Sequence, residues 1–231
     1  MENLKIIERT ISSSIEMKGK VVVVEKIKYP YFECDDEKDK VLFEKMNSFY
    51  NSVAEKYSNY ARCGMAKKIA KNMGKCTLPV CMGMKYAVSS ACDDITSVVL
   101  DLSFSEGDKI RMRRFSQMWY GREKRIISIG QLLDLSMENK KILLDMVLSK
   151  VSEEESKGRK GYFEDVVSGA KKHFCFGNSF LAPDGIVFFF ESGILKPEKY
   201  GAVCFVIPYD NIRHMLKPDF SHSFDNKKQE L

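Results

Sequence analysis

A chain of 231 residues lies near the upper end of one domain, since domains commonly span roughly 100–200 residues. An apolar fraction of 44% beside 30% charged residues is that of a globular protein with enough material for a sizeable core, which sets a low-complexity chain aside. The net charge of +5 permits acidic partners without requiring them. The opening "MENLKIIERTISSSIEMKGK" has no continuous apolar core of the signal-peptide kind, because Glu8, Arg9 and the serines at 12–14 interrupt it, and the apolar run 21–24 is too short to cross a bilayer. The expectation is a soluble cytoplasmic protein.

Residues 3–13 and 20–29 read as two strands around "EMKGK". In the second, Val21, Val23, Ile27 and Tyr29 fall on one face and Lys26 and Lys28 on the other. Pro30 has no N–H and is expected to end that strand. "DDEKDK" suits a helix start, and Leu42, Met46, Phe49, Tyr50, Val53, Tyr57 and Tyr60 then recur at spacings of three and four. The pattern continues through Met65, Ala66, Ile69, Ala70 and Met73, with Gly64 as an invitation to break and Gly74 as a stop.

From 78 to 129 the period changes to two. Met82, Met84, Tyr86 and Val88 alternate; "SVVLDLSF" leads through "SEGD" into "KIRMRRFSQMWY", and "GREK" turns the chain into "RIISI", a β-meander. Residues 134–151 return to helical spacing, with Leu143, Met146, Val147 and Val151 on one stripe. "SEEESKGRKG" reads as a charged link, and a short helix over 162–172 has Phe163, Val166, Val167 and Ala170 on its apolar side. "APDG" marks a turn between strands, 186–190 and 202–207 are strands joined by a polar connector, and a short helix follows. The tail 217–231 is polar and expected to fray.

Strands and helices occur in blocks rather than in strict alternation. That favours an α+β fold, mainly an antiparallel sheet packed against a long N-terminal helix and further helices, as one domain over 1–216.

The seven cysteines are odd in number and irregular in spacing, which argues for reduced thiols packed as small apolar side chains. Cys76 and Cys81 with His173 and Cys175 lack the paired spacing of a structural zinc site, and neither a metal nor a cofactor is expected. Among the histidines, His173 sits at a helix end, His214 beside Arg213 and His222 in the tail, none in a nucleophile or metal motif. Asp35–Asp36 and Asp93–Asp94 fall at turns or helix caps. There is no Gly-x-Ser-x-Gly elbow, P-loop, dinucleotide fingerprint or His-Glu-x-x-His, so no catalytic residue is expected.

Two stretches are candidates for recognition. "KIRMRRFSQMWYGREKR", residues 109–125, carries Arg111, Arg113, Arg114 and Arg125 with Trp119 interleaved, a composition that binds nucleic acid or another acidic ligand. The same alternation also fits the solvated face of a sheet. The connector 191–200 places Glu191, Lys196, Lys199 and Tyr200 on a loop, where rigid scaffolds usually carry recognition.

"DGIVFFF…KYGAVCFVIPYDNIRHML", from Asp184 through Ile207 and Tyr209, resembles the C-terminal signature of the extracytoplasmic domain of RsiV-type anti-sigma factors, a family of otherwise unknown function also attached to some peptidoglycan deacetylases. "KIKYPYF" with "LFEKMNSFYNSVAEKY", "GMKYAVSSACDDITSVVLDLSF" and "MWYGREKRIISIGQLLDL" are similar to its early strand and helix, central strands and strand–turn–strand. The resemblance covers about residues 20–216. It departs at "SEGDKIRMRR", where members carry a Gly-Gly-Ala-His-like turn, and at "ESGILKPEK", where they are rich in tyrosine. It implies a non-catalytic, protein-binding or sensor-like bacterial domain; the nucleic-acid or acidic-ligand binder is the alternative.

Overall fold

The computed structural model describes residues 4–33, 36–72, 77–92, 94–158, 161–221 and 224. It has the expected α+β architecture: a six-stranded sheet in the order β1-β2-β3-β4-β5-β6, and a three-stranded sheet in the order β7-β8-β9. The chain divides into two compact units. The first comprises Glu2–Ala87 with Leu100–Arg114, the second Val88–Val99 with Phe115–Leu231.

In the first unit, β1 (Lys5–Met17) and β2 (Lys20–Glu33) pair as an antiparallel hairpin. Lys18 and Gly19 both have positive φ, 52° and 74°, the left-handed pair that a two-residue hairpin turn requires. Two expectations for β2 fail here. A bulge steps the pairing from Ile15↔Val23 to Glu16↔Val21, so Val22 turns inward beside Val23 and Val21 is left exposed. The strand also runs through Pro30, which pairs with Glu8. The described pairing of β2 with β3 stops at Ile27, so the missing N–H costs no ladder bond on that side.

The helix α1 (Glu37–Asn59) starts at Asp36, whose side chain accepts from the Lys38 backbone N–H. Its Asn47 carboxamide bonds both backbone groups of Phe32, at 2.8 and 3.0 Å, and so pins the helix to the end of β2. Gly64 does not break it. The helix passes into a π-helical turn, Tyr60–Met65, and continues as α2 (Ala66–Lys71). That turn rotates the buried stripe, so Tyr60 is exposed while Ala61, Met65 and Ile69 are buried. The helical crossover lets β3 (Val80–Cys92) pair with β2 in parallel. β4 (Ile95–Glu106) and β5 (Lys109–Tyr120) follow, turning at Gly107 with φ +57°.

The second unit adds β6 (Arg125–Ile127) and α3 (Ile129–Leu132), a short helix with no apolar periodicity to announce it, closed by a Ser128–Gln131 capping box. α4 (Met137–Ser156) buries Leu143, Val147 and Val151, and extends into the first half of the stretch read as a link. Ion pairs from Glu153 to Lys150 and Lys157 support that last, solvated turn. α5 (Val166–His173) buries Val166 and Ala170, whereas Phe163 lies before it and is exposed.

β7 (Ser179–Ala182), β8 (Gly185–Phe190) and β9 (Val203–Pro208) pair antiparallel, with every residue of β8 buried. A Cβ on Gly185 would lie 2.1 Å from the Ile207 carbonyl oxygen, so only glycine allows that approach. α6 (Tyr209–Ile212) and a 3₁₀ turn lead to Leu216, which bridges to Leu133. The tail is not wholly polar surface. α7 (Pro218–Ser221) buries Phe220 against Tyr120, and Phe224 is buried against Tyr209. Among the described residues no helix is long and apolar enough to cross a membrane.

Candidate functional site

The basic hairpin is divided by the fold. Arg111, Arg113 and Arg114 fall in the first unit, Trp119 and Arg125 in the second. Arg114 holds Asp101 through two bonds of 2.7 Å from Nε and Nη2, a bidentate pair that turns this edge of the guanidinium to the carboxylate. Arg122 bonds Asp94 at 2.6 Å, and that bond raises its pKa further. Arg125 is paired with Glu123. Trp119 is only 4% exposed and offers no ring face to a base, while Arg111 and Arg113 remain on the surface.

The connector 191–200 is built differently. Leu195 is fully buried in the core of the second unit, and its carbonyl accepts from the Phe163 N–H at 3.0 Å. Ser192 Oγ donates to the Glu198 carbonyl, and Gly193 turns the chain with φ +86°. A loop anchored in this way presents its side chains in a fixed arrangement. Lys196 Nζ lies 3.9 Å from the centre of the Tyr162 ring, and Lys199 Nζ lies 5.2 Å from that of Tyr200. A Cβ on Gly161, whose φ is +99°, would sit 3.3 Å from the Tyr200 ring, so the missing side chain lets that ring lie over the backbone.

Tyr200 is 53% exposed and Phe163 45%. The structure thus joins Lys196 and Tyr200 of the connector to the segment 161–163, whose Tyr162 and Phe163 the sequence places on the separate short helix 162–172. Glu191 is half-buried and has an interaction of its own. The signal that could have found the platform is "GYF" at 161–163, a glycine beside two aromatics in an otherwise charged stretch.

A second cluster was also missed. Glu25 belongs to the buried face of β2, in phase with Val23 and Ile27, and is 1% exposed. Its Oε1 accepts from Ser13 Oγ, Ser58 Oγ at 3.0 Å and Arg62 Nε at 3.0 Å, while Oε2 is buried without a hydrogen-bond partner. An acid in register with an apolar face was its signal.

Four of the thiols are not packed inside as expected: Cys63, Cys81, Cys175 and Cys204 are exposed. Of the zinc candidates, Cys81 belongs to the first unit and His173 and Cys175 to the second, while Cys76 lies outside the described residues, as do Cys34, Asp35, Asp93 and His222. No group of three or more His, Cys, Asp or Glu among the described residues is placed to hold a metal ion.

With this geometry in view, two solved structures are similar over nearly the whole chain. One is a member of the DUF3298 family from Bacteroides fragilis, with a TM-score of 0.65 at 15% identity over 96% of this chain and 97% of that one. The other is a DUF3298 family protein from Pseudomonas aeruginosa, with a TM-score of 0.56 at 12% identity over 93% and 96%. The fold is shared with DUF3298 proteins. At such identities the likeness concerns fold alone, a domain of unknown function. No protein-family model matches the chain, and no curated protein matches it.

Proposed function

We propose that the chain is a non-catalytic, protein-binding domain of the sensor type, engaging an acidic surface on its partner through Tyr162, Phe163, Lys196, Lys199 and Tyr200. The observation that carries this is the anchored connector: exposed aromatics and cations held by a buried Leu195. Tyrosine and other aromatics are enriched at protein interfaces, and a pre-set loop loses little conformational freedom on binding. The resemblance to the RsiV-type domain supports the same reading. The nucleic-acid alternative is weakened by the burial of Trp119 and the pairing of Arg114 and Arg125.

Affinity capture with crosslinking from native-host lysate, followed by titration of the captured protein, tests the proposal. Tyr200→Ala combined with Lys196→Glu is expected to weaken the partner at least about tenfold, the scale of an interface hot spot. Lys171→Glu alone, at the far end of α5, is the charge-matched control. Equal binding by the platform variant and the control sinks the reading, as does capture that vanishes on nuclease treatment.

A further inference from the structure

We infer that the first unit carries a binding site for a soluble oligophosphate, in a trough on the sheet face opposite Glu25; it does not depend on the connector platform. Val24, Lys26 and Lys28 of β2 point away from the buried face, and the parallel register sets Val24 beside Cys81 and Lys26 beside Gly83. Gly83 also borders Ser103 of β4, whose Oγ lies 3.4 Å from the Gly83 carbonyl oxygen. A Cβ on Gly83 would sit 2.6 Å from that hydroxyl, so the side chain is missing where three strands meet, between a lysine and a serine. The result is a depression of about 470 Å³, rimmed by Lys26, Lys28 and Lys85 and by Ser103 and Ser105.

Two of the three lysine charges at this trough are uncompensated. Glu8 engages Lys28 at 2.6 Å, but Lys26 and Lys85 have no ion-pair or hydrogen-bond partner among the described residues. No carboxylate lines the depression, and the nearby acid Asp101 is held bidentately by Arg114. The ammonium groups and hydroxyls stand around the gap at Gly83, among Val24, Cys81, Met82 and Met84, and present donors along the rim. Such a surface is complementary to phosphate oxygens, which lysine binds as a point charge. The size of the depression suits several linked phosphates, in the range of small-ligand pockets.

Cys81 supplies a built-in reporter, because its exposed thiol lines the trough whereas that of Cys63 does not. Inorganic tripolyphosphate is titrated into the full chain by calorimetry at low salt, and alkylation of each cysteine is followed by peptide mass spectrometry. The expected result is saturable binding that slows alkylation of Cys81 and not of Cys63. Lys26→Ala with Lys85→Ala should weaken binding at least about tenfold and abolish the protection, with Lys171→Ala and Lys172→Ala within about twofold of wild type. Lys85→Gln alone, which keeps most of the stem, serves if the double variant does not fold. Absence of binding, equal losses in both lysine pairs, or Cys81 protection that tracks Cys63 overturns the site. Binding only to oligothymidylate, or only to vesicles with a phosphorylated headgroup, overturns the soluble ligand.

Discussion

Glu25 shows how one residue ties local chemistry to packing. Its carboxylate is buried on the helix-facing side of β2, and three donors from β1 and the α1–π segment converge on one of its oxygens while the other has none. Glu25→Ala removes the shared acceptor. Because Arg62 is 48% exposed and can rehydrate, the loss should be about 1–3 kcal/mol rather than the larger cost of stranding a fully buried charge. Glu25→Gln keeps an acceptor for the same donors and should cost less. Urea midpoints in the order wild type, Gln, Ala are expected, and an Ala variant as stable as wild type would show that the cluster contributes nothing. Tyr57 makes a complementary case at high pH. Burial, with a smaller contribution from Tyr60, pushes its phenol up to about 12, and its hydroxyl donates to the Ser103 carbonyl at 2.8 Å. A folded pKa above the unfolded value of 10.0 means that the unfolded chain releases its proton first. The stabilisation is therefore complete below pH 10 and is lost as the pH rises towards 12. Between those values the stability of the wild type should fall more steeply than that of Tyr57→Phe, as read from urea melts at each pH.

At the level of elements, periodicity located most helices and strands because one face of each is buried and the other wet. The failures came where something other than a repeating face decided. The π-helical turn at Tyr60–Met65 shifts the helical phase, and a Tyr60 ring lying within 3 Å of where a Gly64 Cβ would be explains why the glycine is there without ending the helix. The bulge in the β1–β2 pairing moved Val21 and Val22 to the faces opposite those that strict alternation assigns. β8 has both faces covered, which an alternation rule reads as only half buried. The closing segment was misread for a plainer reason: Phe220 and Phe224 stand alone among polar residues, and two isolated aromatics have no period. Each fills a place against a tyrosine of the second unit, at ring distances of 5.0 and 4.6 Å. Phe220→Ala and Phe224→Ala should each cost about 2–4 kcal/mol, slightly below a central core phenylalanine because the tail can readjust. Thermal melts would check this, and a shift as small as that of a surface Lys→Ala control would mean that the tail is dispensable.

For the molecule as a whole, what one sequence hides is long-range adjacency. The connector platform joins residues on either side of α5 and β8, and no local pattern links Tyr162 to Lys196. The trough likewise depends on Gly83 having Lys26 on one neighbouring strand and Ser103 on another. The same adjacency governs how the chain reaches its fold. In the second unit the Leu181 N–H reaches Ser97 Oγ across 84 positions, Ser116 Oγ reaches the Ser179 carbonyl across 63, and Lys217 Nζ reaches the Gly130 carbonyl across 87. Each contact closes a loop whose entropy is lost before the contact forms, so chains rich in such pairings fold slowly. The β1–β2 hairpin needs only a two-residue turn and can form early. Stopped-flow refolding should therefore proceed over roughly milliseconds to seconds or slower, not in the microseconds open to small helical bundles. Pulsed hydrogen exchange during refolding should protect the amides of the β1–β2 pairing before those of Asp134 and Lys217, which bond to Met215 and Leu132 across the closing end of the second unit. If Asp134 and Lys217 were protected first, the C-terminal closure would be the nucleus of folding rather than its last step, and loop entropy would not be what sets the order.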